Sequence, residues 1–198
     1  ISSLNDLITE ESEKLSLSDA DIFTMALRPP ENSEINLADP EQFKKDLERI
    51  YTLSRSGEAD SETRLTARQI FDTALSMTKE LRESNLTPEG LKTNLDLLNP
   101  MVQEFAKDSI KKGDLFLMAL TLNKNQKDNL TAPCEGAGCT GTRFAQEFAK
   151  IDGLGLALDR SQVFSFTLSL DVNRRKNLND PNLKDVLGNL TRQLGTIN

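Results

Sequence analysis

Two cysteines, Cys134 and Cys139, sit in a glycine-rich stretch, Pro133-Cys134-Glu135-Gly136-Ala137-Gly138-Cys139-Thr140-Gly141-Thr142. Thiols this close in sequence admit a disulfide, a redox pair or two free thiols, and the spacing is not the Cys-x-x-Cys of thioredoxin-like sites. Two cysteines cannot build a four-thiolate zinc or iron–sulfur centre within one chain. We read them as a disulfide that stiffens a loop rather than stapling distant elements. A disulfide places the protein outside the cytoplasm, as a secreted, periplasmic or cell-surface protein. Gly136, Gly138 and Gly141 also spell Gly-x-Gly-x-x-Gly. That string cradles a dinucleotide only between a strand and a helix of a βαβ unit. Here an Asn-Leu pair and a proline precede it and no parallel sheet is predicted. The stretch is read as a flexible insertion, ending at a helix N-terminus near Thr142 that can attract an anion.

Other chemistry is limited by what the chain lacks. It has no histidine, no tryptophan and one tyrosine, Tyr51. Ser-His-Asp and Cys-His nucleophiles, histidine bases, histidine-bound haem and the usual zinc hydrolases are therefore excluded. Asp171, Asn173 and Asn177 alternate as calcium ligands do, but Arg175 holds a would-be ligand position. The glycine at the sixth place and the acid at the twelfth are also missing. No carboxylate spacing selects a glycosidase pair. No catalysis, metal or cofactor is expected. With 24 Lys+Arg against 31 Asp+Glu the net charge is −7, which argues against nucleic acid as a partner. No apolar run approaches a transmembrane span. The chain opens on Ile1 rather than methionine, which reads as a processed or trimmed start. Three glycosylation sequons begin at Asn85, Asn129 and Asn189, two of them by-products of a repeated Asn-Leu pair.

That pair belongs to an internal repeat, which supplies the elements that position all of these residues. Segments ending at Phe23, Phe71, Phe116 and Phe164 align, and these phenylalanines are 48, 45 and 48 residues apart. Four residues after each comes a leucine: Leu27, Leu75, Leu120 and Leu168. Seventeen after each comes a proline (Pro40, Pro88, Pro133, Pro181), preceded by Asn-Leu beginning at Asn36, Asn85, Asn129 and Asn177. Ser18, Thr66 and Asp159 read as helix N-caps, and each Phe and Leu four apart share a helix face. Asp39-Pro40, Thr87-Pro88 and Asp180-Pro181 read as an N-cap followed by proline at the first helical position. A unit is thus helix A, a connector and helix B. The repeated asparagines are read as bonding nearby backbone within their connectors. Phe164, Phe166, Leu168, Leu170 and Val172 alternate as a strand would, but the equivalent run of the second unit is helix-periodic, so 160–170 is predicted helical.

The expected fold is a single all-α domain over residues 1–198, with units at 17–64, 65–109, 110–157 and 158–198. A further helix through Leu4, Leu7, Ile8 and Leu15 precedes them. The units are expected to stack as a compact superhelix, the alternative being a globular bundle of eight or nine helices. The expected function is a non-catalytic, extracytoplasmic binding or adhesion module that meets a protein or glycan partner. Its candidate contact residues are Lys124, Lys127, Arg174, Arg175 and Lys176, a local positive excess beside the insertion. The alternative is a carrier of a small apolar ligand held between helices.

Overall fold

Local capping chemistry starts most of the helices. In the computed structural model, which describes residues 33–55, 64–136, 138–183 and 185–186, Thr66 Oγ1 accepts from the Gln69 amide at 3.2 Å while the Gln69 side chain accepts from the Thr66 amide at 2.9 Å. This reciprocal capping box opens α3 (Ala67–Ser76) and satisfies two backbone donors at once. Asp159 and Gln162 repeat it at α9 (Arg160–Leu168). Asp39 caps α2 (Pro40–Arg55) through the Gln42 amide at 3.1 Å, and Thr87 caps α5 (Pro88–Met101) through the Gly90 amide at 3.0 Å. Both helices have proline at their first position, where no amide is needed. The remaining helices are α1 (Ser33–Leu37), α4 (Lys79–Asn85), α6 (Lys112–Thr121), α7 (Lys124–Thr131), α8 (Arg143–Asp152) and α10 (Val172–Leu178). After α5 the chain runs through a π turn at Val102–Ala106 and a 3₁₀ turn at Lys107–Ser109.

The protein is all-α, as its repeat implies. Among the described residues the only extended pairing is an isolated bridge between Pro133 and Thr142. Residues 160–168 are helical, and the alternating run separates by depth. Phe164, Leu168 and Leu170 are buried, whereas Phe166 is 49% and Val172 is 73% exposed. The expected N-terminal helix and the first unit's helix A, with Ser18, Phe23 and Leu27, lie outside the described residues.

Two compact bodies result. One contains the described residues up to Leu98 together with Lys111–Leu122. Its core includes Phe43, Leu47, Ile50, Ile70, Phe71, Leu98 and Leu120, with the Phe43 and Phe71 rings edge to face at 5.2 Å. The other contains Asn99–Ile110 and the described residues from Asn123 onward. Its core gathers Phe144, Phe148, Ile151, Val163 and Phe164, with Phe144 and Phe164 centroids 4.9 Å apart. The chain passes between the bodies three times, near the end of α5 after Leu98, before α6 at Lys111, and between α6 and α7 after Leu122.

The connectors differ from expectation, because each contains a helix. Thr78, Asn123 and Asp171, all seven residues after the repeat phenylalanine, accept from the amides of Leu81, Gln126 and Arg174 and so start α4, α7 and α10. These helices are short and polar, so hydrophobic periodicity leaves them unmarked. The second and third units, in which all three segments are described, are therefore helix triplets.

The repeated asparagines also behave differently from the local reading. Asn36, Asn85 and Asn129 are buried, and each donates across to the end of the following unit's helix A. Asn36 Nδ2 reaches the carbonyls of Leu75 and Met77 at 2.6 and 2.9 Å. Asn85 reaches Leu120 and Leu122 at 2.9 and 3.0 Å, and Asn129 reaches Leu168 and Leu170 at 3.3 and 2.8 Å. In each case the acceptors lie four and six residues after the repeat phenylalanine. The last carbonyls of a helix have no partner within it, and a buried amide from the preceding unit supplies one. Asn85→Ala should cost about 1–3 kcal/mol, the usual penalty for stranding buried acceptors. Urea unfolding checks this, and a variant as stable as the parent would show that water replaces the amide.

Candidate functional site

The insertion is anchored at both ends and along one side. Cys134 and Cys139 form a disulfide, with Cα atoms 6.0 Å apart. Cys134 N donates to Gly141 O at 3.2 Å and Arg143 N to Ala132 O at 2.8 Å. Gly136, Gly138 and Gly141 have φ of 110, 79 and 102°, a region that side chains with a Cβ rarely adopt. The glycine string thus turns a cross-linked loop, with no strand beside it to form a phosphate cradle. Glu135 clasps the next helix: its carbonyl accepts from Gln146 Nε2 at 2.8 Å and its carboxylate pairs with Arg143 at 3.0 Å. Thr142 caps α8 through the Ala145 amide at 3.3 Å, as the sequence predicts. The loop is fixed against α8 rather than hanging free.

Reduction under denaturing conditions should release two thiols, and unreduced protein should show none. Two reactive thiols before reduction would remove the cross-link from solution. Breaking it should cost no more than about 2 kcal/mol, since so short a loop constrains little of the unfolded chain.

Between this loop and α10 lies a groove of about 600 Å³, lined by Glu135, Arg143, Glu147, Lys150, Arg175 and Lys176 among others. At its floor Arg175 pairs with Glu147 at 3.0 Å, the two side chains being 15% and 7% exposed. Arg175 Nη2 also donates to Asn129 Oδ1 and, at 2.9 Å, to Leu170 O. One arginine thus joins the acid of α8, the interunit asparagine and a helix terminus. Burial pushes the Glu147 carboxyl above the ordinary range, against the pull of Arg175, Arg143 and Lys150. Its Oε2 has no hydrogen-bond partner among the described residues. Lys150 reaches Asn179 Oδ1 at 2.5 Å across the rim.

Of the expected contact residues, Arg175 and Lys176 line this groove, whereas Lys124, Lys127 and Arg174 do not. Lys124 is exposed in the first turn of α7 and Lys127 is partly buried in its middle. Arg174 donates to Ser169 O at 3.2 Å and lines a separate apolar groove. Arg175 is a structural tie, so reversing its charge is not a neutral surface probe. Comparison with known proteins returns nothing: no family model, curated protein or solved structure matches the chain. Sequence reasoning passed over Arg143, Glu147 and Lys150. A signal was present in Arg82 and Arg175, each eleven residues after its repeat phenylalanine. Arg82 makes the equivalent contacts in the other body, pairing with the buried Asp46 and donating to Asn36.

Among the described residues, no group of three or more Cys, Asp or Glu could hold a metal ion. No helix among them is long and apolar enough to cross a membrane.

Proposed function

We propose that this chain is a non-catalytic binding module that works outside the cytoplasm and engages an anionic protein or glycan surface at the groove beside the disulfide loop. The observation that carries this reading is the cluster of Arg143, Lys150, Arg175 and Lys176 around a groove whose acids, among the described residues, are Glu135 and Glu147, in a chain of net charge −7. Converging positive side chains at a concave surface focus potential and raise the local concentration of an anion. The disulfide supports the extracytoplasmic assignment.

Lys150 and Lys176 are exposed, so Lys150→Glu with Lys176→Glu tests the groove without disturbing Arg175. The parent should be retained on a sulfated-glycan or acidic-peptide matrix at low salt despite its net charge, and should elute as salt screens the contact. The double variant should pass through unretained. A parent that flows through, or a variant that elutes where the parent does, would leave the groove without this role. The alternative, a carrier of a small apolar ligand, is favoured by the separate apolar groove of about 350 Å³. A co-purifying apolar mass in native mass spectrometry would support that alternative.

A further inference from the structure

The fourth repeated asparagine stands apart from the other three. Asn36, Asn85 and Asn129 are at most 2% exposed. Asn177, at the corresponding place near the end of α10, is exposed, and its side-chain amide has no partner among the described residues. The neighbouring leucines do not divide this way: Leu86 and Leu130 are 4% and 2% exposed, but Leu37 at the first filled interface is only partly buried, as Leu178 is. Asn177 and Leu178 lie in the apolar groove of about 350 Å³, with Ile151, Leu154, Leu158 and Phe166. Phe166 and Leu158 are 49% and 40% exposed, a large apolar area to leave in water.

We infer that this groove is a docking surface for the C-terminal end of one more helix of the A type, supplied by another polypeptide. The three filled interfaces define the occupant. In each, the asparagine faces two main-chain carbonyls separated by one residue, in the segments Leu75-Ser76-Met77, Leu120-Thr121-Leu122 and Leu168-Ser169-Leu170. A leucine or methionine supplies both carbonyls and a hydroxyl residue stands between them. The partner is thus an amphipathic helix with a phenylalanine four residues before an aliphatic, Ser or Thr, aliphatic ending. Asn177 donates to the two free carbonyls, and the groove covers the apolar stripe. The surface continues a series of interfaces that the chain already builds three times. It is also distinct from the cationic groove, so either reading can fail alone.

The probe is an acetylated peptide amide spanning residues 64–78 of this chain, which contains Phe71 and the Leu75-Ser76-Met77 ending, titrated into the full chain. Saturable binding is expected. Asn177→Asp keeps the shape, removes the donor and sets a carboxylate against carbonyl oxygens. It should weaken binding at least about tenfold, the equivalent of one hydrogen bond lost with repulsion added. Because Asn177 is exposed, the thermal midpoint of the variant should match the parent. A peptide with Leu75 and Met77 replaced by serine should not bind. Absence of saturable binding, or equal binding to Asn177→Asp, overturns the proposal. So does a co-purified apolar molecule filling the groove. Concentration-dependent self-association of the parent that Asn177→Asp abolishes would overturn the choice of occupant, giving the surface to a second copy.

Discussion

Arg175→Met is expected to lower the unfolding free energy by about 3–5 kcal/mol, because losing one partner of a buried ion pair leaves the other uncompensated. The buried Glu147 would lose its paired cation, and Asn129 Oδ1 would lose a donor. Replacing both ends, Arg175→Met with Glu147→Leu, should recover most of the loss, since apolar substitution of a whole buried pair is often neutral or better. Urea unfolding of the parent, both single variants and the double variant closes the cycle. A single variant within about 1 kcal/mol of the parent would place the pair among solvated surface bridges.

The same pair sets a pH dependence. Because burial raises the Glu147 carboxyl above its ordinary value of 4.5, the folded protein holds that proton more firmly than the unfolded chain does. Its contribution to stability therefore falls as pH rises through the interval above 4.5. Without Arg175 that interval extends upward, so the deficit of Arg175→Met should shrink on acidification. The capping aspartates act in the opposite sense. The Ser161 hydroxyl and then the Gln162 amide hold Asp159 below its ordinary 3.8, and the Arg174 amide chiefly does so for Asp171. Their contributions are complete above that value and are lost as pH falls through the lowered ones.

Phe71→Ala should be as costly, about 3–5 kcal/mol, through lost burial and the cavity left behind. The ring is 2% exposed and meets Phe43 edge to face at 5.2 Å, a geometry that adds to burial alone. Leucine at the same position should recover part of the loss by filling volume without the ring contact. A denaturation midpoint unchanged by the alanine would mean that α2 and α3 close over the gap.

Much of this architecture is legible in the residues because it rests on short-range chemistry. Thr66 with Gln69 and Asp159 with Gln162 announce their helices from three residues away, and Thr142 marks the start of α8. The disulfide is legible for the same reason, its cysteines being nearly adjacent. What stayed hidden is long-range. Asn36 meets Met77 across 41 residues, and nothing near Asn36 names its acceptor. Arg175 reads as one more surface cation until Glu147 and Asn129 close around it. Glu147 was obscured further by the insertion, which moves it out of the register that Asp46 keeps relative to its own unit's asparagine.

The choice of main-chain oxygens as the asparagines' acceptors has a consequence for how such a chain can lengthen or diverge. A contact that reads carbonyls needs no matched polar side chain on the second segment, and Leu-Ser-Met, Leu-Thr-Leu and Leu-Ser-Leu meet it with only an aliphatic, hydroxyl, aliphatic pattern in common. A copied segment inserted in tandem would bring its own amide for the segment after it and its own helix end for the one before. Compatibility is inherited with the copy rather than acquired by matched substitutions on two sides. Drift is then free at most positions and forbidden at a few: the amide donor, the ring that sets the helix in place, and the length between them.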